Sequence, residues 1–219
     1  MTLADRRLWA FLLGVVAVTI GVLLHLPMFW MGRDMGFRMA GMPMDGAMIA
    51  GMWMIVAGIG LAAYGLLPKG LSRQIETSSQ LAVSAPEDAP LSAAHWRLMG
   101  VLVVALVIDI MKPASLGFTI PGMIDEYGAP KATVSLVPFF ALVGTVVGSV
   151  AWGAIADIYG RKASILLSAV MFVGTSVCGA MPSLAWTIGM CFMMGAAAGG
   201  MLPVTYALLA EMMPSKHRG

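Results

Sequence analysis

Gly153-Ala-Ile-Ala-Asp157-Ile-Tyr-Gly160-Arg161-Lys162 is a short charged turn set between two apolar runs, 132–156 and 163–181. Each run is long enough to cross a bilayer, which takes about 20 mostly apolar residues for about 30 Å of hydrocarbon. The chain must leave one helix here and enter the next within a few residues. Gly153 and Gly160 permit the close approach and turn that bulky side chains block. Asp157 suits a neighbouring helix N-terminus, and Arg161 with Lys162 favour the cytoplasmic surface. On spacing alone the stretch reads equally well as a turn that only fixes topology.

Outward from this turn the pattern repeats. Apolar runs at 8–30, 46–67, 97–120 and 185–210 bring the number of spans to six. Hydrophobic residues make up 59% of the chain and charged ones 11%, against roughly a quarter charged in a soluble domain. The mean hydropathy is +0.88. The expected fold class is therefore an all-α polytopic membrane protein with six transmembrane helices, the lipid bilayer being its first partner. The first run is too long for a signal peptide and lacks a small-residue cleavage site, so it reads as an anchor. A net charge of +2 offers no basic patch for nucleic acid. Cys178 and Cys191 fall inside spans, where a disulfide framework or zinc site is not expected.

Basic residues in the short loops set the orientation. Arg6, Arg7, Lys69, Arg73, Arg97, Arg161, Lys162, Lys216 and Arg218 lie at one set of ends, and Arg33, Arg38 and Lys131 at the other. This asymmetry predicts a multi-pass protein of the plasma (inner) membrane with both chain ends cytoplasmic. Residues 68–96, rich in Ser, Ala and Pro, read as a cytoplasmic linker. They separate a Met-rich two-helix hairpin at 1–67 from a four-helix unit at 97–219.

Asp109 and Lys112 are the sharpest individual residues. They sit mid-span, three positions apart, and so share a helical face. An ionisable group at that depth costs several kcal/mol unless it meets a cavity or a partner, and is a functional candidate by default. A mutually neutralised pair that only steadies packing is the plainer alternative. Pro113 follows directly and loosens the local hydrogen-bond ladder. Gly144-x-x-x-Gly148 and Gly195-x-x-x-Gly199 are small-residue grooves suited to close helix packing. Pro203 and Tyr206 are weaker candidates for lining a pathway.

The Gly-x-x-x-Asp-x-x-Gly-Arg-Lys pattern resembles the loop between helices 2 and 3 of the major facilitator superfamily. Met193-x-Gly195-Ala196-x-x-Gly199, then Leu208-x-x-Glu211 and Arg218, is similar to helix 4 and its following loop in sugar-porter-like members. The resemblance covers 97–219, and the last four spans then correspond to helices 1–4 of such a transporter. It implies secondary active transport of a small polar or anionic metabolite by alternating access, coupled to an ion such as the proton. It further implies a gating role for Gly153, Asp157, Gly160, Arg161 and Lys162, and a cytoplasmic charge cluster containing Glu211 and Arg218. Related symporters of organic acids resemble Asp-x-x-Asp in the first helix, ahead of a segment like Pro121-Gly122; here Lys112 replaces the second acid. The family also often carries an Arg where this chain has Cys191. Complete members have about twelve helices, so further C-terminal transporter helices are implied, and the chain is expected to be a fragment that is inactive alone. No cofactor is implied. Nothing in the chain resembles a nucleophile–base set or a phosphate loop, and an enzyme is not expected.

Nine of the 21 Met residues lie between Met28 and Met54. Met28, Met31, Met35, Met39 and Met42 recur every three or four positions, with His25 one step earlier, forming one stripe if the segment is helical. Thioethers favour soft ions such as copper(I), so Met31, Met35, Met39 and Met42 are candidate metal ligands. The alternative function is accordingly a non-transporting membrane protein whose hairpin binds copper(I) or a partner subunit. Met is equally an adaptable filler of apolar helices. Arg33, Asp34, Arg38 and Asp45 read as the solvated edge of this turn.

Overall fold

A computed structural model describes residues 3–67, 92–179 and 181–212. Among the described residues the chain is helical, in the order α1 (Leu3–Leu23), α2 (Leu26–Met31), α3 (Gly46–Leu66), α4 (Ala93–Tyr127), α5 (Lys131–Val134), α6 (Leu136–Tyr159), α7 (Arg161–Gly174) and α8 (Leu184–Met212). With no water to satisfy backbone groups in hydrocarbon, each span must close its own hydrogen bonds, which selects helices. Among the described residues five stretches are long and apolar enough to cross a membrane: Arg6–Met35, Gly46–Leu66, His95–Tyr127, Lys131–Tyr159 and Leu184–Ala210. The remaining apolar run, 163–181, is α-helical for 14 residues and continues as a 3-10 helix over Thr175–Gly179. At about 1.5 and 2.0 Å per residue the two pieces together rise about 31 Å.

The ends of the helices have local causes. Asp45 is not a solvated edge residue but the N-cap of α3, its carboxylate accepting from the Met48 N–H at 2.7 Å. α4 starts at Ala93, inside the predicted 68–96 linker, because Ser92 and His95 close a cap in which the Ser92 N–H donates to His95 Nδ1 at 3.0 Å. Residues 68–91 of that linker lie outside the described residues. The helix runs on through positions 113 and 121 and stops at Gly128, whose φ of 59° ends it in a left-handed turn.

α1 and α3 form an antiparallel hairpin with a regular seam. A Cβ added at Gly65 would meet Phe11, at Gly14 Ala62, at Gly58 Val18, at Gly21 Ile55, and at Gly51 His25. The spacing alternates three and four residues on both helices, the repeat of a left-handed coiled coil. At each level one partner is glycine, so the backbones approach closely, the packing mode that lipid leaves available.

The hairpin leans on α7. Val18 and Ala62 pack with Trp152, Leu167 and Val170, and Ile55 packs with Val177. Gly174 accommodates this contact, since a Cβ there would sit 2.8 Å from the Ile55 side chain. On the other side of α7, α6 and α8 press together through both small-residue grooves. A Cβ at Gly144 would strike the Phe192 carbonyl, at Gly148 that of Ala196, at Gly195 that of Ala141, and at Gly199 that of Thr145. α4 lies against α6 and α8 through Leu116, Met123, Val137, Ala141, Cys191 and Met194.

Candidate functional site

α4 buries one line of residues: Leu102, Asp109, Leu116 and Met123, seven positions apart. Seven residues are nearly two full turns, so the four stack along a single face. Ile108, Ile110 and Met111 beside Asp109 are exposed, while Asp109 itself is 4% exposed. The carboxylate thus occupies an inward position otherwise held by apolar side chains. Lys112 lies three residues on in the same helix; its side chain is outside the described part of the structure.

The register against α8 can be read from one end. Tyr127 OH donates to the Met181 carbonyl at 2.8 Å and is 2.9 Å from Thr187 Oγ1. The two helices run in opposite directions, and Met123 packs in one cluster with Cys191, as do Ile120 and Met194. Thr205 is fully buried, and its hydroxyl makes no hydrogen bond. Pro203 and Tyr206, by contrast, are exposed on α8, which remains helical past Pro203.

The turn between α6 and α7 is a single residue. Gly160 has φ 94°, a conformation that side chains resist, and its N–H closes on the Ala156 carbonyl at 2.9 Å. Asp157 and Arg161 flank it and form an ion pair at 2.9 Å, with Asp157 68% and Arg161 28% exposed. Lys162 is exposed. Gly153 differs from expectation: a Cβ there would meet nothing within 4 Å among the described residues. The close approach occurs at neighbouring Trp152, whose indole N–H donates to the Ala196 carbonyl at 2.8 Å. Ser164 Oγ donates to the Trp152 carbonyl at 3.0 Å, and Ser149 Oγ to the Gly199 carbonyl at 3.1 Å. The exposed charged turn therefore stands on a base cross-linked among α6, α7 and α8. Glu211 falls in the last turn of α8, but its side chain and all of Arg218 lie outside the described residues.

The methionine stripe does not form. A 3-10 turn over Gly32–Met35, then positive φ at Gly36, Phe37 and Gly41, break the helix. Met31 and Met35 are exposed, whereas Met39 is buried and Met42 packs on the same apolar cluster. The loop is tied down: the Met39 N–H donates to Glu126 Oε1 at 2.8 Å, and the Gly41 N–H to the Pro182 carbonyl at 2.9 Å. Arg38, Thr119, Asp125 and Glu126 border a recess of about 430 Å³ at this end. Sequence reasoning missed Tyr127, Glu126 and Thr205; the acidic pair Asp125–Glu126 at a helix end was the available signal.

Residues 98–219 match the profile of the Major Facilitator Superfamily. Among curated proteins the chain is similar to the niacin transporter of Acinetobacter baylyi, with 26% identity over 138 residues, which is 63% of this chain and 31% of that protein. It is also similar to the 4-hydroxybenzoate transporter of the same species, 28% over 144 residues, covering 65% of this chain and 32% of the relative. The gallate transporter of Pseudomonas putida is 26% identical over 133 residues, covering 60% and 30%. The chain thus spans about a third of the length of these relatives. No solved structure matches it.

Proposed function

The chain belongs to the major facilitator superfamily, and from that premise we propose that it supplies the first four helices of a secondary transporter for small aromatic carboxylates, with a two-helix hairpin ahead of them. α4, α6, α7 and α8 take the places of helices 1–4. The ligand class rests on the names of the relatives: niacin, 4-hydroxybenzoate and gallate are all ring-bearing carboxylic acids. Asp109 carries the coupling proton near the midplane, and Lys112 provides the positive charge that draws in the carboxylate. The protein lies in the plasma membrane with the α6–α7 turn on the cytoplasmic side. There Gly153, Asp157, Gly160, Arg161 and Lys162 gate the alternation between inward- and outward-facing states, with Glu211 and Arg218 as a nearby charge cluster.

The observation that carries this reading is a carboxylate on the buried line of α4, inside the family-matched segment. A buried ionisable group in a span is expensive and is retained where it meets substrate or ion. The test is uptake of labelled 4-hydroxybenzoate and nicotinate by cells expressing the whole gene product. Asp109→Asn keeps the shape but removes the titratable charge, and is expected to lower proton-driven uptake at least tenfold with membrane abundance unchanged. Undiminished uptake by that variant would overturn the assignment of Asp109.

A further inference from the structure

His25 lies on the hairpin seam, away from every residue given a transport role. It is 4% exposed, and its ring packs against Gly51 of α3. Nδ1 is 2.8 Å from the Gly21 carbonyl, which only accepts, so Nδ1 carries the proton and donates it. In the neutral ring Nε2 then holds a lone pair. That atom is buried and has no hydrogen-bond partner. An imidazole whose far nitrogen is anchored to a backbone carbonyl, with the near one left bare, has the arrangement that metal-binding histidines use.

The seam beyond it is rich in thioethers. The seam pairs positions 11 with 65, 14 with 62, 18 with 58, 21 with 55 and 25 with 51. The next level in this register pairs Met28 with Met48. Both are fully buried and belong to one cluster with Met39 and Met181. Met28 lies three positions beyond His25, and Met48 three positions before Gly51, which the His25 ring meets. Thioether sulfur offers lone pairs and no proton, so these neighbours cannot satisfy Nε2. A soft cation answers all three ligands together. Thioether and imidazole select copper(I) over zinc, which prefers thiolate, imidazole and carboxylate.

We propose that the hairpin holds a copper(I) site formed by His25 Nε2 and the sulfurs of Met28 and Met48. Met39 and Met181 form its apolar surround. The exposed Met31 and Met35 take no part, which separates this site from the loop stripe expected from sequence. The site is independent of the transport reading.

The full chain in lipid nanodiscs would be titrated anaerobically with copper(I) against a chromophoric copper(I) chelator, and the loaded protein studied by X-ray absorption. One copper per chain is expected, with nitrogen and sulfur scatterers in its shell. Met28→Leu and Met48→Leu preserve volume and helicity, and each should weaken binding at least tenfold with the helical circular dichroism unchanged. His25→Gln should abolish stoichiometric binding. Met31→Leu with Met35→Leu should bind as wild type. The proposal is overturned if the Met28 and Met48 variants bind like wild type, if the Met31/Met35 variant loses the metal, or if no sulfur scatterer is seen. Should His25→Gln fail to fold, the two leucine variants decide the matter.

Discussion

Gly160 and Gly153 are seven residues apart in one turn motif, yet the structure asks different things of them. Gly160 sits at φ 94°, where an added Cβ costs about 1–3 kcal/mol of backbone strain. Gly153 faces open space on this chain. Gly160→Ala is therefore expected to lower the detergent-solubilised Tm by several degrees, and Gly153→Ala to leave it within about 1 °C. Equal Tm losses in the two variants would contradict this account. The Asp157 carboxylate of the Asp157–Arg161 pair is exposed and Arg161 only partly so; a pair screened on one side by solvent contributes about 0–1 kcal/mol to stability. Any large effect of Asp157→Asn on uptake would then be an effect on the transport cycle rather than on folding. Asp109 is the opposite case, a carboxylate buried on the line of Leu102, Leu116 and Met123.

At the scale of elements, the loop after α2 is the part that departs most from its sequence pattern. Methionines three and four apart promise a helix, but glycines at 36 and 41 release the chain into turns. The loop then finds tertiary anchors on the Glu126 carboxylate and the Pro182 carbonyl. A hydrogen bond to a charged acceptor contributes about 1.5–3 kcal/mol. Glu126→Ala is expected to speed hydrogen exchange at Met39 and its neighbours at least tenfold while α6 and α8 keep their protection. Unchanged exchange in the loop would show that the Gly41–Pro182 contact suffices. The α6–α8 pairing needs no such anchor. Four glycines bring carbonyls of the facing helix where a side chain would be, so close backbone packing replaces a hydrophobic drive that lipid cannot supply.

For the whole molecule, the hairpin meets the family-matched unit along α7, at Trp152 of α6, and through its loop at Glu126 and Pro182. The orientation proposed from the basic residues predicts opposite accessibility for two exposed sites. With Cys178 and Cys191 replaced by Ser, a cysteine at Arg38 should react with a membrane-impermeant maleimide in intact cells. One at Lys162 should react only after permeabilisation. The reverse pattern would invert the topology and move the gating assignment to the other surface.

The all-helical membrane class, the approximate limits of five spans and the turn at Gly160 were legible in the residues, because a helix in lipid closes its own hydrogen bonds. The sixth expected span, 163–181, instead divides into α7 and a 3-10 helix. The family was legible in two local motifs because each is carried by a continuous stretch. Which face of each helix turns inward was not legible. Lipid and protein interior are both apolar, so Ile108, Asp109 and Ile110 carry no pattern that marks the middle one as buried. Only the packed helices decided that Asp109 lies on the inward line of α4, that the methionine loop folds back onto Glu126, and that His25 meets Gly51 one turn from Met28 and Met48. Those outcomes depend on partners up to 87 positions away, and on close fits between small residues that no local stretch contains.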